Sequence, residues 1–434
     1  MRGSRRRARA CHDKLIRGDP DSGAGGTMTV DYNQLYSDLA ANMKVSAIRE
    51  LLKYTNKPEV ISFAGGLPNP GTFPLETMKR ICNEVLDKWG TKALQYGETE
   101  GVPQLRDYLK KMYTASGEFR DGDDLVITEG SQQALDLFGK ILLSQGDHLI
   151  AEAPTYLGGA NAFQVYGCKV DHVEMDDDGM RMDLLAAALK KAKKSGRMPK
   201  FIYAIPTFQN PAGVTMPTKR RKEFLDLVYQ YDNLIILEDD PYGNLYFEGE
   251  PVKSLKSMDR EGRVVSLKTV SKVLAPGFRC GIVTGPQEIV RKVVVAKQSA
   301  DLCSPALTQF MAWQYMEQGN MPAQLELIRK MYRGKRDLMV KALKEKMPEG
   351  VKWTYPKGGM FLWVTVQGVN TEELFMEAIK NNVAYVVGTA FYCDGRGKDS
   401  MRLNFSYAKD DEILEGIKRL SNAIRTQRKA TPKK

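Results

Sequence analysis

From about residue 120 the chain alternates short apolar runs with amphipathic stretches, and that alternation leaves few folds open. Leu125–Thr128, His148–Ala153, Lys169–Met175, Phe201–Pro206, Leu234–Asp239 and Val264–Thr269 read as short strands. Between them Gln132–Ser144, Asp183–Gly196 and Thr218–Tyr231 carry helical spacing, the last opening after Pro217 with Thr218 as its N-cap. Parallel strands need helix-length crossovers, so this order predicts a largely parallel sheet with helices on both faces. Ligands of such sheets gather at the carboxyl ends of strands, near helix N-termini.

A second pattern begins near Ala323, with a helical stretch through Met347 and a strand-like stretch Val351–Val366. Helix Glu372–Asn381, strand Ala384–Val387 and the run Ser400–Ser406 follow. We read residues 75–322 as a large domain and 323–425 as a smaller α+β domain, with segment 28–74 packing against the latter. Residues 1–27 are Arg-rich, then Gly/Ser-rich, with no periodicity and no apolar signal core. They read as a leader added for expression, or as a disordered extension ahead of Met28.

Charge points to nucleic acid only until it is located. The net charge is +11, of which residues 1–27 carry +4 and residues 425–434 carry +5, leaving +2 between them. The body is nearly neutral, and the ends, including a basic tail at 426–434, read as solvated. No groove-reading motif accompanies the charge, so we expect no nucleic-acid partner. No apolar run approaches the roughly 20 residues that span a bilayer, so we expect no membrane partner either. Six scattered cysteines form no CxxC pair and only three histidines are present, which argues against a metal centre or a disulfide framework. Reduced thiols fit a cytoplasmic setting.

Four segments carry chemistry, and all fall at strand ends. In Ser266-Leu-Lys-Thr-Val-Ser-Lys272, Thr269 and Ser271 precede Lys272, and Arg279 follows a Pro276-Gly277 turn. Hydroxyls and a guanidinium around one lysine can cradle a phosphate beside a Schiff-base amine. Glu129-Gly-Ser-Gln-Gln133 lies between a strand and a helix, where backbone N–H groups face anions. Asn210 in Pro206-Thr-Phe-Gln-Asn-Pro-Ala-Gly213 can donate to a phenolate oxygen, and a carboxylate of Glu238-Asp-Asp-Pro-Tyr242 can pair with a pyridine nitrogen. Each is commonplace alone. Together, in this order, they are not.

These motifs resemble the class I aminotransferases of pyridoxal-5′-phosphate (PLP) fold type I, in the branch of 2-aminoadipate, kynurenine and broad-specificity enzymes. Ile61-Ser-Phe-Ala-Gly-Gly-Leu-Pro68, Leu94-Gln-Tyr-Gly97 and Met401-Arg-Leu-Asn-Phe-Ser406 extend the likeness to about residues 40–425. The resemblance implies a mostly parallel seven-stranded sheet in the large domain and PLP as cofactor. It implies that Lys272 binds the cofactor and shuttles a proton, and that Asp239 keeps the pyridine nitrogen protonated. Asn210 and Tyr242 would contact the phenolate oxygen, and Tyr156 would stack on the ring. Ser131, Gln132, Thr269, Ser271 and Arg279 would hold the phosphate. Tyr96 would reach the neighbouring subunit's phosphate, which implies a homodimer. Arg402 would grip the substrate α-carboxylate. Arg49 would meet the substrate side chain, and Gly65 and Gly66 would line the entrance. Thr269 stands where the family often has Ser, and keeps the hydroxyl.

The implied reaction moves an amino group from an acidic, aromatic or branched aliphatic L-amino acid to a 2-oxo acid such as 2-oxoglutarate, by a ping-pong mechanism. Two other readings use the same residues. A PLP-dependent lyase would eliminate without an acceptor. A regulator's ligand-sensing domain would need a winged-helix DNA reader, for which the low-complexity stretch before Met28 offers no room.

Overall fold

The computed structural model describes residues 30–43 and 57–430. The chain divides into a short unit that ends at Ala41 and a large one, Asn42–Lys434. In the short unit Asp31 caps a 3-10 turn, Tyr32–Gln34, by accepting from the Asn33 N–H at 3.1 Å.

The large unit is built around an eight-stranded sheet. After Ile61–Ser62 (β1), its strands are Asp123–Thr128 (β2), His148–Ala153 (β3), Lys169–Asp176 (β4), Gly179–Met180 (β5), Phe201–Ala204 (β6), Ile235–Asp239 (β7), Val264–Thr269 (β8) and Gly281–Pro286 (β9). They are ordered β2-β9-β8-β7-β6-β3-β4-β5, with β4, β3, β6, β7 and β8 successively parallel and β9 antiparallel to both neighbours. The eighth strand, beyond the seven expected, is the two-residue return β5, a hairpin partner of β4. Helices Leu75–Ala93 (α1), Pro103–Ser116 (α2), Gly130–Leu142 (α3), Leu157–Gln164 (α4), Met182–Ser195 (α5), Thr218–Val228 (α6) and Gln287–Asp301 (α7) accompany it. The central strands are buried along nearly their whole length, as parallel strands covered on both faces must be.

Thr218 is not the N-cap of α6. Pro217 holds the cap position in extended conformation, Thr218 is already helical, and no side chain caps the first turn. A hydroxyl at the first helical position cannot reach the N–H groups that a cap residue bonds.

Helices Ala306–Glu317 (α8) and Met321–Lys346 (α9) lead into Val351–Trp353 (β10) and Phe361–Val366 (β11), an antiparallel pair rather than one continuous stretch. Thr371–Lys380 (α10), Val383–Ala384 (β12), Val386–Val387 (β13), Ser400–Asn404 (β14) and Asp410–Ala430 (α11) complete the unit. The expected strand Ala384–Val387 splits at Tyr385: β12 pairs in parallel with β1, and β13 joins a sheet ordered β10-β11-β14-β13. Phe63 N–H donates to Ala384 at 2.8 Å, so residues 61–63 lie along this region.

The basic end is not a free tail as far as Ala430. α11 includes Arg425 and Arg428, which donate to the carbonyls of Lys346 at 3.2 Å and Glu349 at 2.6 Å. Cations near a helix C-terminus also complement its dipole.

Candidate active site

A cavity of about 300 Å³ lies where β6, β7 and β8 end. Its walls come from both sheets, with Asp239 from β7, Thr269 from β8, Phe361 from β11 and Arg402 from β14. Alternation along β7 sorts the acids. Glu238 turns away to accept from the N–H groups of Leu255 and Lys256 at 2.7 and 2.9 Å, while Asp239 faces the cavity and Asp240 accepts from Gly243 N–H at 2.9 Å.

Lys272 sits in a 3-10 turn, Val270–Lys272, just past β8, and its Nζ donates to the Gly66 carbonyl at 3.0 Å. Burial, then the positive charges of Arg402 and Arg279, lower its pKa to about 8, against a smaller opposing pull from Asp239. Asp239 is 3% exposed and its pKa is raised to about 7, mainly by burial. Its Oδ2 accepts from Tyr203 Oη at 2.8 Å. Arg402 is 2% exposed, donates to Asn210 Oδ1 at 2.9 Å and to the Ala64 carbonyl at 2.8 Å, and lies 4.3 Å from the Phe361 ring centroid. Its pKa falls to about 10 through burial, which leaves it a cation at neutral pH. With its oxygen committed to Arg402, Asn210 has its amide N–H groups left to donate. Tyr242 is buried beside Asn210 and within hydrogen-bond reach of it.

The opposite end of the cavity is a nest of donors. α3 starts at Gly130, so the N–H groups of its first turn lack intrahelical partners. Gly130 has φ +73, and a Cβ there would stand 2.5 Å from the Arg279 guanidinium, so only glycine fits. Arg279 itself is held at φ 46 and donates to the Glu129 carbonyl at 3.0 Å. Thr269 Oγ1 lies 2.8 Å from Ser271 Oγ and accepts from the Ser271 N–H at 3.1 Å. Tyr156 donates to Gln132 at 3.3 Å across the rim.

The structure thus brings Lys272, Asp239, Tyr156, Ser131, Gln132, Asn210, Tyr242, Thr269, Ser271, Arg279, Arg402 and Gly66 to one cavity. Gly65 is not part of its wall, Tyr96 lies on the surface at 79% exposure, and Arg49 lies outside the described residues. Sequence reasoning missed Tyr203, Phe361, Gln209 and Glu152. Gln209 donates to Glu152 at 3.1 Å and to the Pro154 carbonyl at 2.9 Å, and accepts from Ala212 N–H at 2.7 Å, which fixes the turn that carries Asn210. The signal for Tyr203 is its hydroxyl inside the otherwise apolar run Phe201-Ile-Tyr-Ala204.

The family model for aminotransferase class I and II matches residues 68–420. This chain belongs to that family. It is 47% identical over 406 residues to aromatic-amino-acid aminotransferase 1 of Thermococcus litoralis, covering 92% of this chain and 96% of that one. The solved Pyrococcus horikoshii kynurenine aminotransferase, in complex with PMP, is 47% identical, with TM-score 0.89 over 92% of this chain and 99% of its own. The α-aminoadipate aminotransferase of Thermus thermophilus, complexed with a phosphopyridoxyl-leucine, is 36% identical, with TM-score 0.85 over 93% and 100%.

The aminotransferase uses pyridoxal phosphate, and its cavity fits that group. Among the described residues six buried side-chain polar atoms lack a hydrogen-bond partner, and three of them, Asp239 Oδ1, Ser131 Oγ and Arg402 Nε, belong to cavity-wall residues. Most buried polar atoms in folded proteins are paired, so three unpaired ones on residues of a single cavity wall fit a polar ligand, while the other three, on Thr155, Ser266 and Ser304, lie outside that wall. A carboxylate oxygen suits a protonated ring nitrogen, a hydroxyl suits a phosphate, and a guanidinium N–H suits a carboxylate. Among the described residues no helix is long and apolar enough to cross a membrane.

Proposed function

We propose that this aminotransferase takes the amino group of an aromatic amino acid, 2-aminoadipate or a branched aliphatic amino acid and gives it to a 2-oxo acid such as 2-oxoglutarate, in ping-pong order. The reading rests on one arrangement. Lys272 Nζ, the unpartnered Asp239 oxygen and Arg402 share one cavity, so an amine, an acid and a carboxylate receptor address one small molecule. When bound, pyridoxal phosphate supplies a ring that withdraws electrons from the substrate carbon.

Lys272 holds the cofactor and then moves the proton at the substrate carbon, a task its lowered pKa suits. Asp239, fixed by Tyr203 on one oxygen, presents the other to the ring nitrogen. Asn210 and Tyr242 hold the phenolate oxygen, and Tyr156 stacks on the ring. Ser131, Gln132, Thr269, Ser271 and Arg279 bind the phosphate, while Arg402 orients the substrate α-carboxylate beside Phe361. Gly66 borders the entry. Tyr96, exposed in one chain, serves the phosphate of a second copy in a homodimer.

The experiment is amino transfer with counted products. With glutamate as donor and an aromatic 2-oxo acid as acceptor, each amino group lost should appear in the new amino acid. Release of ammonia without an acceptor would instead indicate elimination. Mixing Tyr96→Phe with Lys272→Ala chains tests the dimer: activity above the sum of the separate variants is expected, and strict additivity would contradict a shared site.

A further inference from the structure

Behind the phosphate end of the cavity runs a chain of hydrogen bonds that the cofactor contacts do not account for. It starts at Lys297 in α7, whose side chain is fully buried and whose Nζ lies 2.7 Å from both carboxylate oxygens of Asp301. Asp301 Oδ2 accepts from Gln133 Nε2 at 2.6 Å. Gln133 Oε1 accepts from the Glu129 backbone N–H at 2.8 Å. The carbonyl of Glu129 in turn accepts from Arg279 Nη2 at 3.0 Å.

The helix dipole disfavours Asp301, and its i,i+4 pair with Lys297 offsets only part of that cost. A carboxylate at the last residue of a helix meets the negative end of the dipole, where a cation would be favoured. The backbone there is strained as well. Leu302 adopts φ 64 and ψ −58, and Cys303 N–H donates to the Asp301 carbonyl at 2.7 Å, a three-residue turn of the rare positive-φ kind. Such conformations persist where the surroundings over-determine them. The side chain of Asp301, immediately before that turn, is held by Lys297 and Gln133.

We propose that Lys297, Asp301 and Gln133 are positioning residues for the cofactor phosphate, fixing Glu129 so that the first-turn N–H groups of α3 and the Arg279 guanidinium converge on one point. This rests on the phosphate role given above to Ser131 and Arg279. Gln133 is the link that does most. By taking up the Glu129 N–H it sets the angle at which the chain enters Gly130, and its other end ties that loop to α7.

The test compares PLP with pyridoxal, which lacks only the phosphate, on full-length protein stripped of cofactor. Gln133→Met preserves side-chain length and removes both bonds. Its Kd for PLP should rise about fivefold to tenfold, while that for pyridoxal changes less than about twofold. Lys297→Met should move the same ratio in the same direction; if it does not fold, Gln133→Met decides alone. A merely structural role would weaken both ligands together, and that result, or an unchanged ratio, overturns the proposal. If the wild type itself prefers PLP no more than pyridoxal, the phosphate site has been misplaced and the chain behind it falls too. A wild-type preference that survives in Gln133→Met removes only the chain.

Discussion

Lys272 and Asp239 meet the same environment with opposite consequences. Burial disfavours charge on both, which lowers the lysine to about 8 and raises the acid to about 7. For the lysine, the folded value lies below its ordinary 10.5, so in this window the unfolded chain binds the extra proton. Stability of the cofactor-free protein should therefore gain from Lys272 as pH rises from about 8 toward 10.5, and Lys272→Met should remove that gain. The same shift governs cofactor capture, which needs the neutral amine. Stopped-flow capture of PLP should accelerate with pH up to about 8 and level off above it. A rate still climbing toward 10.5 would mean that Lys272 titrates as an ordinary surface lysine. That Asp239 and Arg402 share a cavity with Lys272 was legible because the motifs pointed to them. What holds them was not: Tyr203 and Phe361 are distant in sequence from the groups they touch.

The loop after β6 shows how an element, rather than a residue, builds the site. Arg221 of α6 is fully buried and donates to the carbonyls of Met216 at 2.8 Å and Pro206 at 2.9 Å and to Thr207 Oγ1 at 2.7 Å, bracketing the turn that carries Asn210. Its Nη1 lies 3.8 Å from the equally buried Glu238. Removing Arg221 strips the carbonyls of Met216 and Pro206 and the Thr207 hydroxyl of their buried donor and Glu238 of its neighbouring cation, so Arg221→Ala should cost about 3–5 kcal/mol in chemical denaturation. Arg221→Lys should recover little of that, since one ammonium cannot reproduce a planar fork meeting several acceptors. A cost under about 1 kcal/mol for Arg221→Ala would contradict this account of the loop. At this scale the sequence was readable where elements are regular. The runs of β3 and β8 match the structure residue for residue, because apolar runs between turn signals leave little choice. Strand β9 was missed, since Gly281 and Gly285 dilute its apolar pattern. The split at Tyr385 was missed too, because which sheet a two-residue strand joins depends on partners elsewhere in the chain.

Across the large unit, the site exists because two sheets meet. Tyr246 bridges to Gly358, Arg336 donates to the Pro356 carbonyl and to Glu248, and a Cβ at Gly213 would stand 2.6 Å from the Phe361 carbonyl. Such contacts place Arg402 and Phe361 opposite the ends of β6 and β7. Alternating runs predicted the large sheet, yet no periodicity says that β14 should point Arg402 into it; only the resemblance of Met401-Arg-Leu-Asn-Phe-Ser406 did so. Substrate choice stays illegible for a similar reason, since a side-chain pocket is shaped by surfaces that converge from distant segments. The most direct test of the central claim is the absorption spectrum of the PLP-loaded wild type and of Lys272→Ala, before and after adding amino acids without acceptor. The account predicts a Lys272-dependent band that glutamate, 2-aminoadipate or an aromatic donor abolishes and 2-oxoglutarate restores. A wild type with no such band, or a band that no amino acid changes, would contradict it.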